Sequence, residues 1–334
     1  MTKARRQSGE FTDFEDLKME LSKARSALRV GKEFQEKNKN RYDLPVQYLE
    51  NERAKIADLE EKSLQLEALL ATEPPPPELP PRQPLLKVVG ILEEFSVQKV
   101  IGYFGVREYD PEAFARKEER NQIGSLLVAM TGNVAGAAVT GQSSIRQSDC
   151  SDFVRGKING IPFYGWLGQT HTRAGDYVEM AVVEQDGFYL VYSIMLPDLR
   201  TISMTPRCRS GRNAEIYFGI TRAFPAFYGV FLIPIFLTHF KGMVWADIAI
   251  LAAMFAGILL PVFLVAIYKT KTKPAPTILL AEDIFATLDF AKPKWVDLKK
   301  NTKKRLKAIS RNPPSSTERE MPSRMSYLNY FFYY

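Results

Sequence analysis

Residues 248–268 carry no charge. As a helix rising about 1.5 Å per residue they reach roughly 31 Å, the thickness of a bilayer's hydrocarbon core at about 30 Å. Their Ile, Leu, Val and Phe side chains favour insertion by roughly 4 to 7 kcal/mol. A second apolar run, residues 223–238, precedes them and contains Pro225 and Pro234. Pro234 removes a hydrogen bond inside a helix and predicts a kink. Residues 216–220 extend this run if the long Arg222 side chain snorkels. The connection, with His239, Lys241, Trp245 and Asp247, is too short for a domain. The two runs predict a two-helix transmembrane hairpin.

The flanks orient it. Arg200, Arg207, Arg209, Arg212 and Arg222 precede the hairpin, and Lys269, Lys271 and Lys273 follow it. The connection offers Lys241, offset by Asp247. Basic residues concentrate on the cytoplasmic side of membrane proteins, so both ends are expected there. The net charge of +7 then reflects topology determinants and lipid-headgroup contacts, and no nucleic-acid partner is needed to explain it.

A third uncharged stretch, IGSLLVAMTGNVAGAAVTGQ at residues 123–142, is far weaker. Its strongly apolar residues supply only about 1.5 to 3 kcal/mol, and Asn133 and the glycines oppose insertion. Gly132 and Gly136 form a GxxxG pair, with Ala129 and Gly141 in similar pairs of small residues four apart. Such spacing lets helix backbones approach closely, which marks these four as helix-packing residues. Three readings stay open: a packing element, a conditionally inserting and self-associating helix, or a constitutive third span.

The N-terminal 72 residues read as helices. Thr12 and Glu15 have the spacing of a capping box. Phe14, Leu17, Leu21, Ala24 and Leu28 then repeat in heptads, as do Leu49, Ile56, Leu59, Leu66 and Leu70 after the break NKNRYDLP. Each narrow seam needs a partner, so a coiled-coil hairpin or pairing with another copy is expected. The start of the chain has no apolar core of the kind a signal peptide carries. Residues 73–84, EPPPPELPPRQP, form an extended spacer.

From residue 85 the texture is that of strands. Asn159-Gly160 and Asp186-Gly187, each between apolar runs, are strong hairpin signals. RTISMTP adds a short strand. A small antiparallel barrel or sandwich of about five to seven strands is expected over residues 85–212. The membrane hairpin occupies residues 213–268. Residues 269–334 hold a short helix, a basic helix and an aromatic tail. In the basic helix Trp295, Leu298, Thr302, Leu306 and Ile309 have helical spacing among Lys299, Lys300, Lys303 and Lys304, so it is expected to lie on an anionic leaflet. RNPPSSTEREMPS reads as a disordered linker. The closing YLNYFFYY is too aromatic to stand in water and should dock on the β-domain or at headgroup level. The fold class is thus an α+β membrane protein.

Catalytic signals are sparse. Two cysteines, Cys150 and Cys208, and two histidines, His171 and His239, are present. HExxH, GxSxG and P-loop patterns are absent. Cys150 and His171 are the one conceivable nucleophile and base, and nothing in their spacing supports it. Asp176 and Asp198 look like turn residues. No catalytic, cofactor-binding or metal-binding residue is assigned, and no cofactor is expected.

VRGKINGIPFYGWL, AGDYVEMAVVEQDGFYLVYSI, LPDLRTISMTPRCRSGRNAE, the membrane hairpin, KPKWVDL and the aromatic end follow one another in a telling order. Over roughly residues 85–334 the chain resembles proteobacterial membrane proteins named as type VI secretion system effectors. Glu215 departs from their pattern, standing where a histidine is expected. Together with the hairpin and the small-residue stretch, the resemblance implies an inner-membrane protein acting through membrane association or self-association; the missing catalytic motifs make it non-enzymatic, and the basic flanks put both termini in the cytoplasm. The resemblance assigns no activity to individual residues. The expected lipid-headgroup contacts are Arg209, Arg212, Arg222, Lys269, Lys271, Lys273, Lys299, Lys300, Lys303 and Lys304. The expected partners are membrane lipids and either a second copy or another protein on the coiled coil. The alternative is a resident inner-membrane anchor, an immunity or scaffold protein that displays its β-domain and coiled coil to a partner.

Overall fold

The computed structural model describes residues 11–38, 46–80, 83–109, 112, 114–116, 118–119, 148–226, 229–230, 245–311, 319–325 and 328–334. The chain divides into two compact units. The first comprises residues 1–77, 99–108 and 112–150, and the second residues 78–98, 109–111 and 151–334. The stretch 123–142, with Ala129, Gly132, Gly136 and Gly141, lies outside the described residues.

In the first unit, α1 (Phe14–Lys37) and α2 (Val46–Leu70) fold back on each other. Lys18 pairs with Glu73, Arg25 with Glu67 and Lys32 with Glu60, so the contacts advance along one helix while they retreat along the other. That is an antiparallel hairpin. Exposed ion pairs of this kind contribute at most about 1 kcal/mol each. The seam of Phe14, Leu21, Ala24, Ile56 and Leu66, all buried, carries the pairing. The N-cap differs from the expected Thr12: the Asp13 carboxylate accepts from the backbone N–H groups of Glu15 and Asp16. Thr12 is engaged elsewhere, its N–H donating to Lys99 and its carbonyl accepting from Ile101.

Seven strands form one sheet among the described residues: β1 (Leu86–Tyr103), β2 (Ser148–Ile158), β3 (Ile161–Leu167), β4 (Tyr177–Gln185), β5 (Phe188–Leu196), β6 (Thr201–Met204) and β7 (Phe331–Tyr333). Their order is β3-β2-β1-β4-β5-β6-β7, and β3 also pairs with β5. The first five strands therefore close into a barrel. The expectation of a purely antiparallel domain is corrected at one contact, because β3 and β5 run parallel. An odd number of strands cannot close with every neighbour antiparallel. The connectivity is that of an OB-type Greek-key barrel.

Both expected turns form. Asn159 and Gly160 have φ of 52° and 77°, and Asp186 and Gly187 have 40° and 85°. Positive φ at both central residues suits a two-residue hairpin, whose twist then matches that of the strands. Gly165 closes the barrel: a Cβ there would strike the Val191 carbonyl oxygen across the β3–β5 contact. Leu92, Val154, Ile158, Phe163, Leu167, Val178, Met180 and Ile194 fill the interior.

A one-turn helix, α3 (Val106–Tyr109), follows β1. After β6 come α4 (Arg212–Phe218), α5 (Trp245–Thr272), α6 (Pro276–Thr287) and α7 (Leu298–Ile309). A second apolar layer forms outside the barrel wall. There Leu280, Ala281, Ile284 and Phe285 of α6 meet Ala181, Val183, Leu190, Met195, Ile202 and Met204. The aromatic tail completes this layer. Phe332 is fully buried, and β7 pairs antiparallel with β6. Of its two expected docking places, the tail takes the β-domain.

Among the described residues one helix is long and apolar enough to cross a membrane, through residues 253–272 of α5, and none of that window is buried. Of the first expected span, residues 227–228 and 231–238 lie outside the described residues. A five-residue π-helical turn, Gly219–Ala223, leads into it from α4.

Candidate functional site

The segment PTILLAEDIFAT puts Glu282 on a helix that otherwise packs apolar side chains. The residue is only 6% exposed. A carboxylate so placed must be paired, because its desolvation is otherwise uncompensated. Its partner is Arg212, the first residue of α4. The Arg212 Nη2 donates to Glu282 Oε2 at 2.9 Å, and Nε reaches Oε1 at 3.1 Å. The backbone N–H of Arg212 adds a bond of 2.8 Å to Oε1. Burial pushes the Glu282 carboxyl up, but the guanidinium and this N–H outweigh it and hold the carboxyl below its usual range. Gly211 lets the backbones meet here, since a Cβ would collide with Pro293 and Lys294.

This pair gathers chain from either side of the apolar segments. Arg212 Nη1 also reaches the Lys271 carbonyl near the end of α5, at 3.5 Å. Farther along, Phe224 packs edge-on against Phe263 of α5, with ring centroids 4.8 Å apart. The helical run that starts at Arg212 thus lies beside the C-terminal half of α5.

Beside the pair lies a basic and aromatic rim. Leu298 N–H donates to the Arg209 carbonyl and Gly211 N–H to that of Val296, which sets Arg209 against the first turn of α7. Asp297 caps α7 by accepting from Lys300 N–H at 2.9 Å. The Lys299 ammonium is pulled down by partial burial first, then by the charges of Arg209 and Lys303. Lys300 Nζ stands 5.8 Å from the centre of the Tyr217 ring. Tyr217 and Trp295 are 55% and 56% exposed. The Glu215 carboxylate accepts from the Ser210 hydroxyl and lies 3.5 Å from Arg209 Nε. At this position it serves as a local anchor for Arg209.

The tail is fastened at the opposite end of its linker. Arg319 makes a two-pronged pair with Asp176 at 2.7 and 2.8 Å, which holds that carboxyl below its usual range although burial alone would raise it. Gln169 bonds Asn329 and Glu320, and His171 lies 2.8 Å from the Gln169 amide and 3.4 Å from Glu320. His171 belongs to the second unit and Cys150 to the first, where the buried thiol clusters with Phe11 and Ile101. Cys208 is fully buried, and burial pushes its thiol up. Among the described residues no group of three His, Cys, Asp or Glu side chains is placed to hold a metal ion.

Of the expected headgroup residues, Arg222, Lys269, Lys271, Lys273, Lys300, Lys303 and Lys304 are exposed. Arg209 and Lys299 are half-buried at the rim, and the guanidinium of Arg212 is committed to Glu282. The sequence reading did not find Glu282, Tyr217 or Trp295 as site residues. A pair of acids inside an apolar helix was the available signal for the first. Comparison with protein-family models, with curated proteins and with solved structures finds no match.

Proposed function

We propose that this chain is a non-enzymatic integral membrane protein, anchored by a two-helix hairpin, that displays its barrel and N-terminal helical hairpin on one side to a protein partner. The observation that carries the reading is the Arg212–Glu282 pair. It joins residues 70 positions apart across the two apolar runs. A chain that leaves at Arg212 and is back at Glu282 crosses a bilayer an even number of times. The exposed apolar faces of α5, including Met254, Val262, Leu264 and Val265, support lipid as their surroundings.

Cysteine accessibility tests it. Cys150 and Cys208 are both buried, so background labelling is low. Probes at Ser26→Cys and Ser310→Cys are expected to react only after the cytoplasmic side is opened, and Lys241→Cys from the opposite side. Reaction of all three from one side removes the hairpin. The resemblance to type VI secretion system effectors carries the second reading, in which the same anchored protein acts on membranes by inserting or self-associating.

A further inference from the structure

We propose that the rim formed by Arg209, Lys299, Lys300 and Lys303, with Tyr217 and Trp295, is a binding surface for the headgroups of anionic phospholipids. The inference rests on the membrane-anchor reading and gives that anchor a lipid preference. It also changes the role expected of α7. A helix lying in a leaflet buries its apolar face in lipid. Here that face is already occupied, because Leu298 and Thr302 are buried and the Thr302 hydroxyl accepts from the Tyr333 N–H at 3.0 Å. The helix is docked on the barrel domain, so only its cationic edge is left to meet the bilayer.

The place of that edge in the fold selects the partner. Tyr217, under Lys300, belongs to the helix that continues through exposed Phe218 and Ile220 toward the Phe224–Phe263 contact on α5. The rim therefore sits where the apolar segments begin. Tyr and Trp favour that depth of a bilayer, with an apolar ring body and a polar tip. Tyr268, at the returning end of α5, is a further exposed aromatic residue there. Four cations from two chain segments converge around two acids: Glu215, which holds Arg209 and Ser210, and Asp297, which caps α7, so the cations outnumber the acids by two. Burial is the larger reason that Lys299 is depressed, and the repulsion from Arg209 and Lys303 that adds to it is relieved by a phosphate brought between the cations.

The test uses the full chain inserted in vesicles of phosphatidylcholine alone, or of phosphatidylcholine with phosphatidylglycerol. An amine-reactive reagent labels exposed lysines, and mass spectrometry reads each site. Lys299, Lys300 and Lys303 are expected to label about fivefold more slowly with phosphatidylglycerol present, the effect of roughly one favourable contact per cation. High salt should abolish the difference, and Lys23 on the helical hairpin should show none. Equal labelling in both vesicles overturns the inference. So does protection in phosphatidylcholine by added inorganic phosphate to the same extent, which would make the ligand a soluble anion. Alkaline extraction of the same vesicles separates the two readings. A chain that resists extraction yet shows no lipid dependence sinks only the headgroup site, and a chain that is extracted sinks the anchor with it.

Discussion

Glu282 shows how one buried charge sets requirements for distant sequence. Replacing it with Ala leaves the Arg212 guanidinium half-buried without its carboxylate, which in comparable pairs costs about 3 to 5 kcal/mol. Glu282→Ala is therefore expected to lower the thermal midpoint of the detergent-solubilised chain sharply. Glu282→Gln, which keeps an acceptor for the fork, should lower it less. Acid should act in the same direction. The Glu282 and Asp176 carboxyls sit below their usual ranges in the folded chain, through Arg212 and Arg319 against the opposing effect of burial. Their stabilisation is complete above the ordinary carboxylate range of about 4 and is lost as pH falls through the lower folded values. Midpoints measured across that window should fall, and the fall should be shallower in Glu282→Gln. An unchanged acid limb in that variant would mean that other carboxylates govern acid unfolding.

At the scale of elements, the aromatic end of the chain behaves as part of the barrel domain. Phe332 is fully buried in the layer shared by α6 and the barrel wall. Phe332→Ala is expected to cost about 3 to 5 kcal/mol, as other large-to-small core changes do. Leu328→Ala, at a partly exposed site just before β7, should change stability little. Urea titrations of both variants check the contrast. That the aromatic end docks was legible because so aromatic a stretch cannot stay solvated, though not at which of its two expected places, and Asn159-Gly160 and Asp186-Gly187 were legible because their turns are local. The parallel β3–β5 contact was not. It depends on how many strands close the barrel, a property that no single segment carries. Thr12 was misread as the helix cap for a related reason: its backbone is engaged by residues 99–101, far along the chain. The Arg212–Glu282 pair was not read from the sequence. Arg212 was expected among the headgroup contacts, Glu282 was not singled out, and the choice among many arginines required the fold.

For the molecule as a whole, the question is whether the parts are built to stay folded or to change state. The described part of the second unit is closed and fastened. Its barrel seals through β3 and β5, its sheet edge is extended by β7, and its tail is held by the Arg319–Asp176 pair. The seam of the helical hairpin is used within one chain, so a partner would meet its outward residues, among them the exposed Met19, Val30 and Leu64. These features favour stable display over rearrangement. A protein that permeabilises membranes needs a segment that inserts on demand, and residues 123–142 are the sequence's one candidate for that role. Overproduction in a bacterial host of the full chain, and of the chain lacking residues 123–142, is therefore expected to leave growth and exclusion of a membrane-impermeant dye at the level of an empty vector. Growth arrest with dye uptake that depends on those residues would overturn the display reading and make the stretch the working part of an effector.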